Sequence, residues 1–351
     1  MTADLSQRPV PLLTPALPGT GGLVRLAEED FRVEELPLYE PLGQGEHLYL
    51  TVEKRGRTTP EVARELAQAL GVKERDLGTA GLKDKRAVTV QRMSALFRGE
   101  PPKELSGNGW RVIALARHNN KLRPGHLRGN RFVITVRGVH EQALPRAEAI
   151  CAALRETGAA NLFGSQRFGR RGDNAALGRA LLLRETQVRD RFLRRMAISA
   201  LQSELFNRCL AARIRDNLFA TAIAGDVLKK RATGGLFVCE DPAVDAPRVL
   251  AREVDPAGPL PGHELFAARA DALLREEAVL AEAGVDPVIF KAGGDEAEGA
   301  RRPYRIPVDD LSVQAAPDAL VLSFSLPKGS YALAVLREVT KAGEQAEEPV
   351  V

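Results

Sequence analysis

The stretch Gly78-Thr79-Ala80-Gly81-Leu82-Lys83-Asp84-Lys85-Arg86-Ala87-Val88-Thr89-Val90-Gln91 places one carboxylate among three cations. Gly78, Ala80 and Gly81 allow a backbone or a ligand to come close. Lys83, Lys85 and Arg86 surround Asp84, and an Asp among cations is expected to stay ionised at neutral pH. That suits a carboxylate nucleophile, and the cations suit a phosphate-bearing substrate. The same residues also fit an exposed turn between two strands, with Asp84 as a turn residue and the cations solvated.

The flanking chain supplies elements that would hold this stretch. The β-branched run from Ala87 predicts a strand through Leu96, and Gly45 to Lys54 alternates as a strand does. Thr58 or Thr59 before Pro60 predicts a helix start, with Val62, Leu66 and Leu70 at helical spacing and Gly71 as its stop. Upstream, Leu23 to Leu36 reads as extended, and Phe31 in it fits either a core residue or a platform for base stacking. Trp110 to Ala116 and Phe132 to Val136 read as strands, and Glu141 to Thr157 as a helix. Between those two strands, His118 to Phe132 is dense in cations, amides and glycines, which suits phosphate; Lys121, Arg123 and Arg128 are its candidate phosphate contacts. Ala160 to Gly169 is a second compact, glycine-punctuated segment, in which Gln166 and Arg167 could meet RNA or serve only as a hinge. Helices are expected over Asp173 to Leu183 and Val188 to about Phe219, with a short β segment at Leu236 to Cys239. Strand character resumes at Asp309 to Leu311 and Leu320 to Leu326. Pro327 to Tyr331 then opens a helix over Ala332 to Lys341, followed by a frayed tail.

The whole chain narrows the function classes. At 351 residues it holds one large domain or two ordinary ones. A hydrophobic fraction of 44% with 27% charged residues is that of a soluble globular protein, and no run of about 18 apolar residues offers a membrane span. The proline-rich start lacks a signal pattern, so a cytoplasmic location is expected. Cys151, Cys209 and Cys239 are widely spaced and odd in number, which gives neither a disulfide framework nor a metal cluster. The net charge is only +4, yet arginines crowd residues 117–137 and 167–195, the footprint of a polyanion partner or of solvated helix faces.

Five segments together resemble one family. Gly81 to Gln91 is similar to the signature G-x-K-D-x-x-A-x-T-x-Q of the TruD family of tRNA pseudouridine synthases. The D-F-x-V-E-E run at Asp30 to Glu35, the H-x-x-K-L-R-x-G-x-L-x-G-N-x-F run ending at Phe132, the N-x-F-G-x-Q-R-F-G run from Asn161, and L-P-x-G-S-[FY]-A at Leu326 to Ala332 resemble that family in the same order. The resemblance implies isomerisation of a uridine already within tRNA, at position 13 of the D-arm, with Asp84 as nucleophile and no cofactor or metal. It implies Phe31, Lys83, Asn130, Phe132 and Tyr331 at the uridine pocket, where an amide such as Asn130 can bond a uracil edge. It also implies an α+β fold: a pseudouridine synthase core with a mixed, largely antiparallel sheet from residues 1–158 and 307–351, and an inserted α-rich domain at 159–306 facing it across a basic cleft. tRNA is the expected partner, no membrane is, and a monomer is favoured. A non-catalytic structured-RNA-binding protein, or a glycosylase releasing free uracil, would use some of the same residues.

Overall fold

The computed structural model describes residues 9–342. The tail after Ala342 and the first eight residues of the proline-rich lead-in lie outside the described residues. The described chain divides into two compact units: residues 17–156, 307–332 and 339–342 form one, and residues 9–16, 157–306 and 333–338 the other.

The first unit is built on a nine-stranded sheet. Its strands are β1 (Phe31–Pro37), β2 (His47–Arg55), β3 (Leu77–Thr79), β4 (Val88–Leu96), β5 (Ser106–Gly107), β6 (Trp110–His118) and β7 (Leu127–Arg137). Two more, β14 (Ser312–Ala316) and β15 (Ala319–Pro327), come from the far end of the chain. The order is β14-β15-β7-β1-β4-β2-β6-β5, with β3 also on β4. Only β1 and β4 run parallel; the other pairs are antiparallel. The fold is thus α+β with a mixed, largely antiparallel sheet.

Between β2 and β3 lies α1 (Thr59–Leu70), and its start is encoded locally. The Thr58 hydroxyl accepts from the Glu61 amide while the Glu61 carboxylate accepts from the Thr58 amide at 2.7 Å, and Pro60 sits in the first turn. Such a cap contributes about 1 kcal/mol. Gly71, at φ +66°, takes the left-handed conformation that ends the helix. The apolar face of α1 (Val62, Leu66, Leu70) packs with Leu48, Leu50 and Val52 of β2 and Met93 and Ala95 of β4. One register later this face turns polar: Lys54 stands opposite Thr89, and Val52 opposite Gln91. Helix α2 (Ala143–Thr157) buries Ala143, Ala147, Ile150, Cys151 and Leu154.

The second unit holds more strand than its sequence announces. Helices α3 (Asn174–Leu182), α4 (Arg191–Arg215), α5 (Pro242–Leu250) and α6 (Ala270–Glu282) accompany the strands β9 (Val227–Lys230), β10 (Leu236–Val238), β11 (Val254–Leu260) and β12 (Ala300–Pro303). Those four strands form a sheet of order β10-β9-β11-β12, and β8 (Ala159–Ala160) pairs with β13 (Arg305–Ile306). Helix still outweighs these short strands, so the region is α-rich with a small sheet. The last helix is α7 (Leu333–Thr340). In the second unit, Glu338 is buried and its carboxylate accepts from the amides of Leu13 and Thr14 at 2.7 and 3.1 Å. The three cysteines are free and buried. Among the described residues no helix is long and apolar enough to cross a membrane.

Candidate active site

Asp84 lies in the loop between β3 and β4, with a side chain 37% exposed. The glycines before it serve different ends. A Cβ on Gly78 would stand 2.2 Å from the Leu122 carbonyl oxygen, so close backbone approach requires glycine there; a Cβ on Gly81 would make only an ordinary contact, with Lys83 Nζ at 3.8 Å. The cation that meets Asp84 is Arg25, whose Nη2 donates to Oδ2 at 3.3 Å. Its guanidinium lies 3.9 Å over the centre of the Phe31 ring, a cation–π contact that fixes its plane. Arg25 itself sits at φ +63°, which is uncommon for a residue with a side chain.

Lys83 is not the partner of Asp84. Its Nζ donates to Glu35 Oε2 at 2.7 Å, and both side chains are buried, 5% and 2% exposed. Glu35 Oε1 also accepts from the Arg92 amide. The backbone N–H of Lys83 donates to the Thr59 hydroxyl at 3.0 Å, and that hydroxyl donates to Gln91 Oε1 at 3.1 Å. Beneath the loop, Lys54 Nζ donates to the carbonyls of Arg57, Lys83 and Asp84. Thr89 Oγ1 and Gln91 Nε2 are buried beside it without a hydrogen-bond partner.

Burial is the largest cause of a Lys54 pKa pushed down to about 8; Asp84 and Glu61 raise it and Lys83 lowers it. Because the folded value lies below the ordinary 10.5, the unfolded chain binds more protons between the two. Through this group the fold should therefore gain stability as pH climbs from about 8 toward 10.5, and carry the cost of the buried ammonium below that. Denaturant melts of wild type and Lys54→Met across this interval should show the wild type gaining on the variant. Curves that stay parallel would contradict it.

The aromatic candidates differ in exposure. Phe31 is 1% exposed and Phe132 6%. Their rings meet edge to face at 6.1 Å, and Phe132 stacks on Phe324 at 5.4 Å. The face of Phe31 is occupied by Arg25, so its first role is as a floor for that guanidinium. Tyr331 is 38% exposed. Asn130 stands opposite Glu35 in the β1–β7 register, and its Oδ1 is buried with no hydrogen-bond partner.

The loop expected to run from His118 to Phe132 ends earlier, because β7 begins at Leu127; Arg128 and Asn130 are strand residues. Lys121 Nζ donates to the Arg75 carbonyl, whereas Arg123, Arg128 and Arg131 are exposed. In the other unit, taken by itself, the Asn161 to Gly169 segment is anchored on α4. Asn207 bonds both the amide and the carbonyl of Phe163, at 2.9 and 2.8 Å. Arg167 donates to Ser203 and to Ser199 on the same helix, while Gln166 is exposed.

Sequence reasoning missed Arg25, Glu35, Lys54 and Thr59. Two of these carried a signal. Period-2 alternation sets Lys54 on the face of Leu48, Leu50 and Val52, and Glu35 on that of Phe31 and Val33, so each is a charge written into a buried register. Chemically, the arrangement is a partly exposed carboxylate fixed by a guanidinium from one side and by its own backbone from below, on a loop bordered by exposed arginines. It can present an anion to an electrophilic carbon of a phosphate-bearing substrate.

Three comparisons bear on this arrangement. The chain matches the family model described as tRNA pseudouridine synthase D (TruD) over residues 10–189 and 186–339. It is 56% identical over 345 residues to the tRNA pseudouridine synthase D of Anaeromyxobacter sp. (strain Fw109-5), covering 96% of this chain and 98% of that one. To a protein of the same name from Thermus thermophilus it is 46% identical over 342 residues, covering 96% and 94%. Among solved structures, that of the putative tRNA pseudouridine synthase D from Methanosarcina mazei superimposes with a TM-score of 0.77 at 23% identity, over 98% of each chain, a likeness of fold.

Proposed function

Because this chain belongs to the TruD family of tRNA pseudouridine synthases, we propose that it isomerises uridine to pseudouridine in tRNA, at position 13 of the D-arm, with Asp84 as the nucleophile. The observation that carries this reading is the Asp84 carboxylate, accessible to a substrate yet held by Arg25. Asp84 attacks the substrate at C1′ or C6, the C1′–N1 bond breaks, uracil turns, C1′ bonds to C5, and the bond to Asp84 breaks again to return the carboxylate. The C5 proton leaves and N1 gains one, so no atom or electron is exchanged with a co-reactant.

A uridine inside structured RNA must leave its stack to reach Asp84, at a cost of a few kcal/mol. Phosphate contacts by Arg123, Arg128 and Arg131 and stacking on the exposed ring of Tyr331 offset that cost. The partnerless Asn130 Oδ1 is suited to accept the uracil N3–H, a donor the substrate would supply. In this reading residues 1–158 and 307–351 are the catalytic domain and 159–306 an insertion. The unit carrying Asp84 supports that division, although residues 9–16 and 333–338 group with the insertion.

Transcripts carrying uridine tritiated at C5 give the test. The wild-type protein should release tritium to water with no free uracil. Release of free uracil would replace the reading with a glycosylase, and retention of all tritium would remove the isomerisation. The RNA surface has its own check: changing Arg123 and Arg128 together to Ala should weaken tRNA binding and reduce the slope of log affinity against log salt by about 2. An unchanged slope would place the RNA elsewhere.

A further inference from the structure

Lys54 is 1% exposed, on the face of β2 that otherwise carries Leu48, Leu50 and Val52. A buried ammonium is costly unless its hydrogens are used. Here Nζ donates to three carbonyl oxygens: Arg57 at 2.7 Å, Lys83 at 3.3 Å and Asp84 at 2.7 Å. Two of them belong to consecutive residues of the loop that presents Asp84. Residues 81–84 have no regular secondary structure, so contacts from outside decide where the loop lies. Thr59 reaches the same loop from the start of α1 by accepting from the Lys83 amide, and Lys83 is tied through its own side chain to Glu35.

We propose that Lys54 is a positioning residue for the Asp84 carboxylate: its buried ammonium draws the Lys83 and Asp84 carbonyls onto the end of β2 and so fixes where the carboxylate points. The proposal rests on the reading of Asp84 as the nucleophile. Lys54 spends its donors on protein carbonyls, two of them in the loop, and holds the carboxylate through the peptides of residues 83 and 84. Displacing a reacting group by about 1 Å lowers rate on the order of 100-fold. Met, of similar length and without charge, leaves those carbonyls without their donor and frees the loop to move.

Single-turnover formation of pseudouridine, measured over a range of enzyme concentrations, separates the rate at saturation from half-saturation. Lys54→Met should lower the saturated rate about 100-fold while half-saturation stays within about threefold of wild type. Hydrogen exchange followed by mass spectrometry should show faster exchange confined to the peptide spanning residues 80–87. Should that variant not fold, Lys54→Arg keeps a buried cation but pushes the carbonyls apart; it should show a loss of about tenfold or more in rate with the same half-saturation. A wild-type rate in either variant overturns the proposal, as does a loss of rate accompanied by faster exchange throughout the chain. If wild-type protein itself forms no pseudouridine, the synthase reading fails, and exchange of residues 80–87 then decides on Lys54: unchanged exchange in Lys54→Met overturns the clamp.

Discussion

Replacing Asp84 by Asn should abolish pseudouridine formation, by about 10⁴-fold or more, while tRNA affinity stays within several-fold. Asn matches Asp in size, so the loop keeps its bonds to Lys54 and Thr59, which use the backbone of residues 83 and 84. What is lost is the anion, and a neutral carboxamide is a poor nucleophile. Binding should hold because the exposed arginines proposed to meet phosphate lie elsewhere on the chain. Single-turnover rates on a tRNA transcript, with affinity by filter binding, check both halves. Turnover at the wild-type rate would remove Asp84 as nucleophile; a large fall in affinity with normal turnover at saturation would make it a binding residue.

The second large effect is expected at Arg25. Its guanidinium is pressed between the Phe31 ring and Asp84 Oδ2, with a side chain 10% exposed. Arg25→Gln keeps some length but removes both the charge and the flat stacked plane, and so unfixes the carboxylate. Loss of one such oriented donor at a reacting centre costs about 10²- to 10³-fold. The fall should appear in the rate at saturation. Lys is no substitute, because an ammonium neither stacks on Phe31 in the same way nor offers the guanidinium's fixed geometry. A saturated rate within about twofold of wild type in Arg25→Gln would mean that the carboxylate is held by its backbone alone.

Much of the sheet unit was legible from the chain itself. Alternation marked β2, and Thr58 or Thr59 before Pro60 with Gly71 as the stop marked α1, because these features act over a few residues. Other strands hid for identifiable reasons. β11 runs Val254-Asp255-Pro256-Ala257-Gly258-Pro259-Leu260, and two prolines and a glycine erase the usual strand signal. β7 was read as starting at Phe132, yet it begins at Leu127, where Leu127 to Asn130 pair with β1 and where Gly129 lets the Leu326 carbonyl approach. The strand expected at Asp309 to Leu311 is a turn, as paired aspartates favour, and β14 follows at Ser312.

At the site, the motif around Asp84 was legible and its partner was not. Lys83, adjacent in sequence, faces Glu35, while Arg25 comes to Asp84 from 59 residues away, along a segment whose apolar pattern drew attention to Phe31 instead. The charges that order the loop, Lys54 and Glu35, stood in strand registers that alternation assigns to the core. A charged residue on a core-facing register was the signal to follow.

The central claim, that Asp84 drives the isomerisation of one uridine in tRNA, is tested most directly by carbodiimide mapping of pseudouridine on an unmodified tRNA transcript. The transcript is mapped after incubation with wild-type protein and with Asp84→Asn. The account predicts a new stop at position 13 with wild type and none with the variant. The same stop with Asp84→Asn, or no pseudouridine from wild-type protein that binds the transcript, would contradict it.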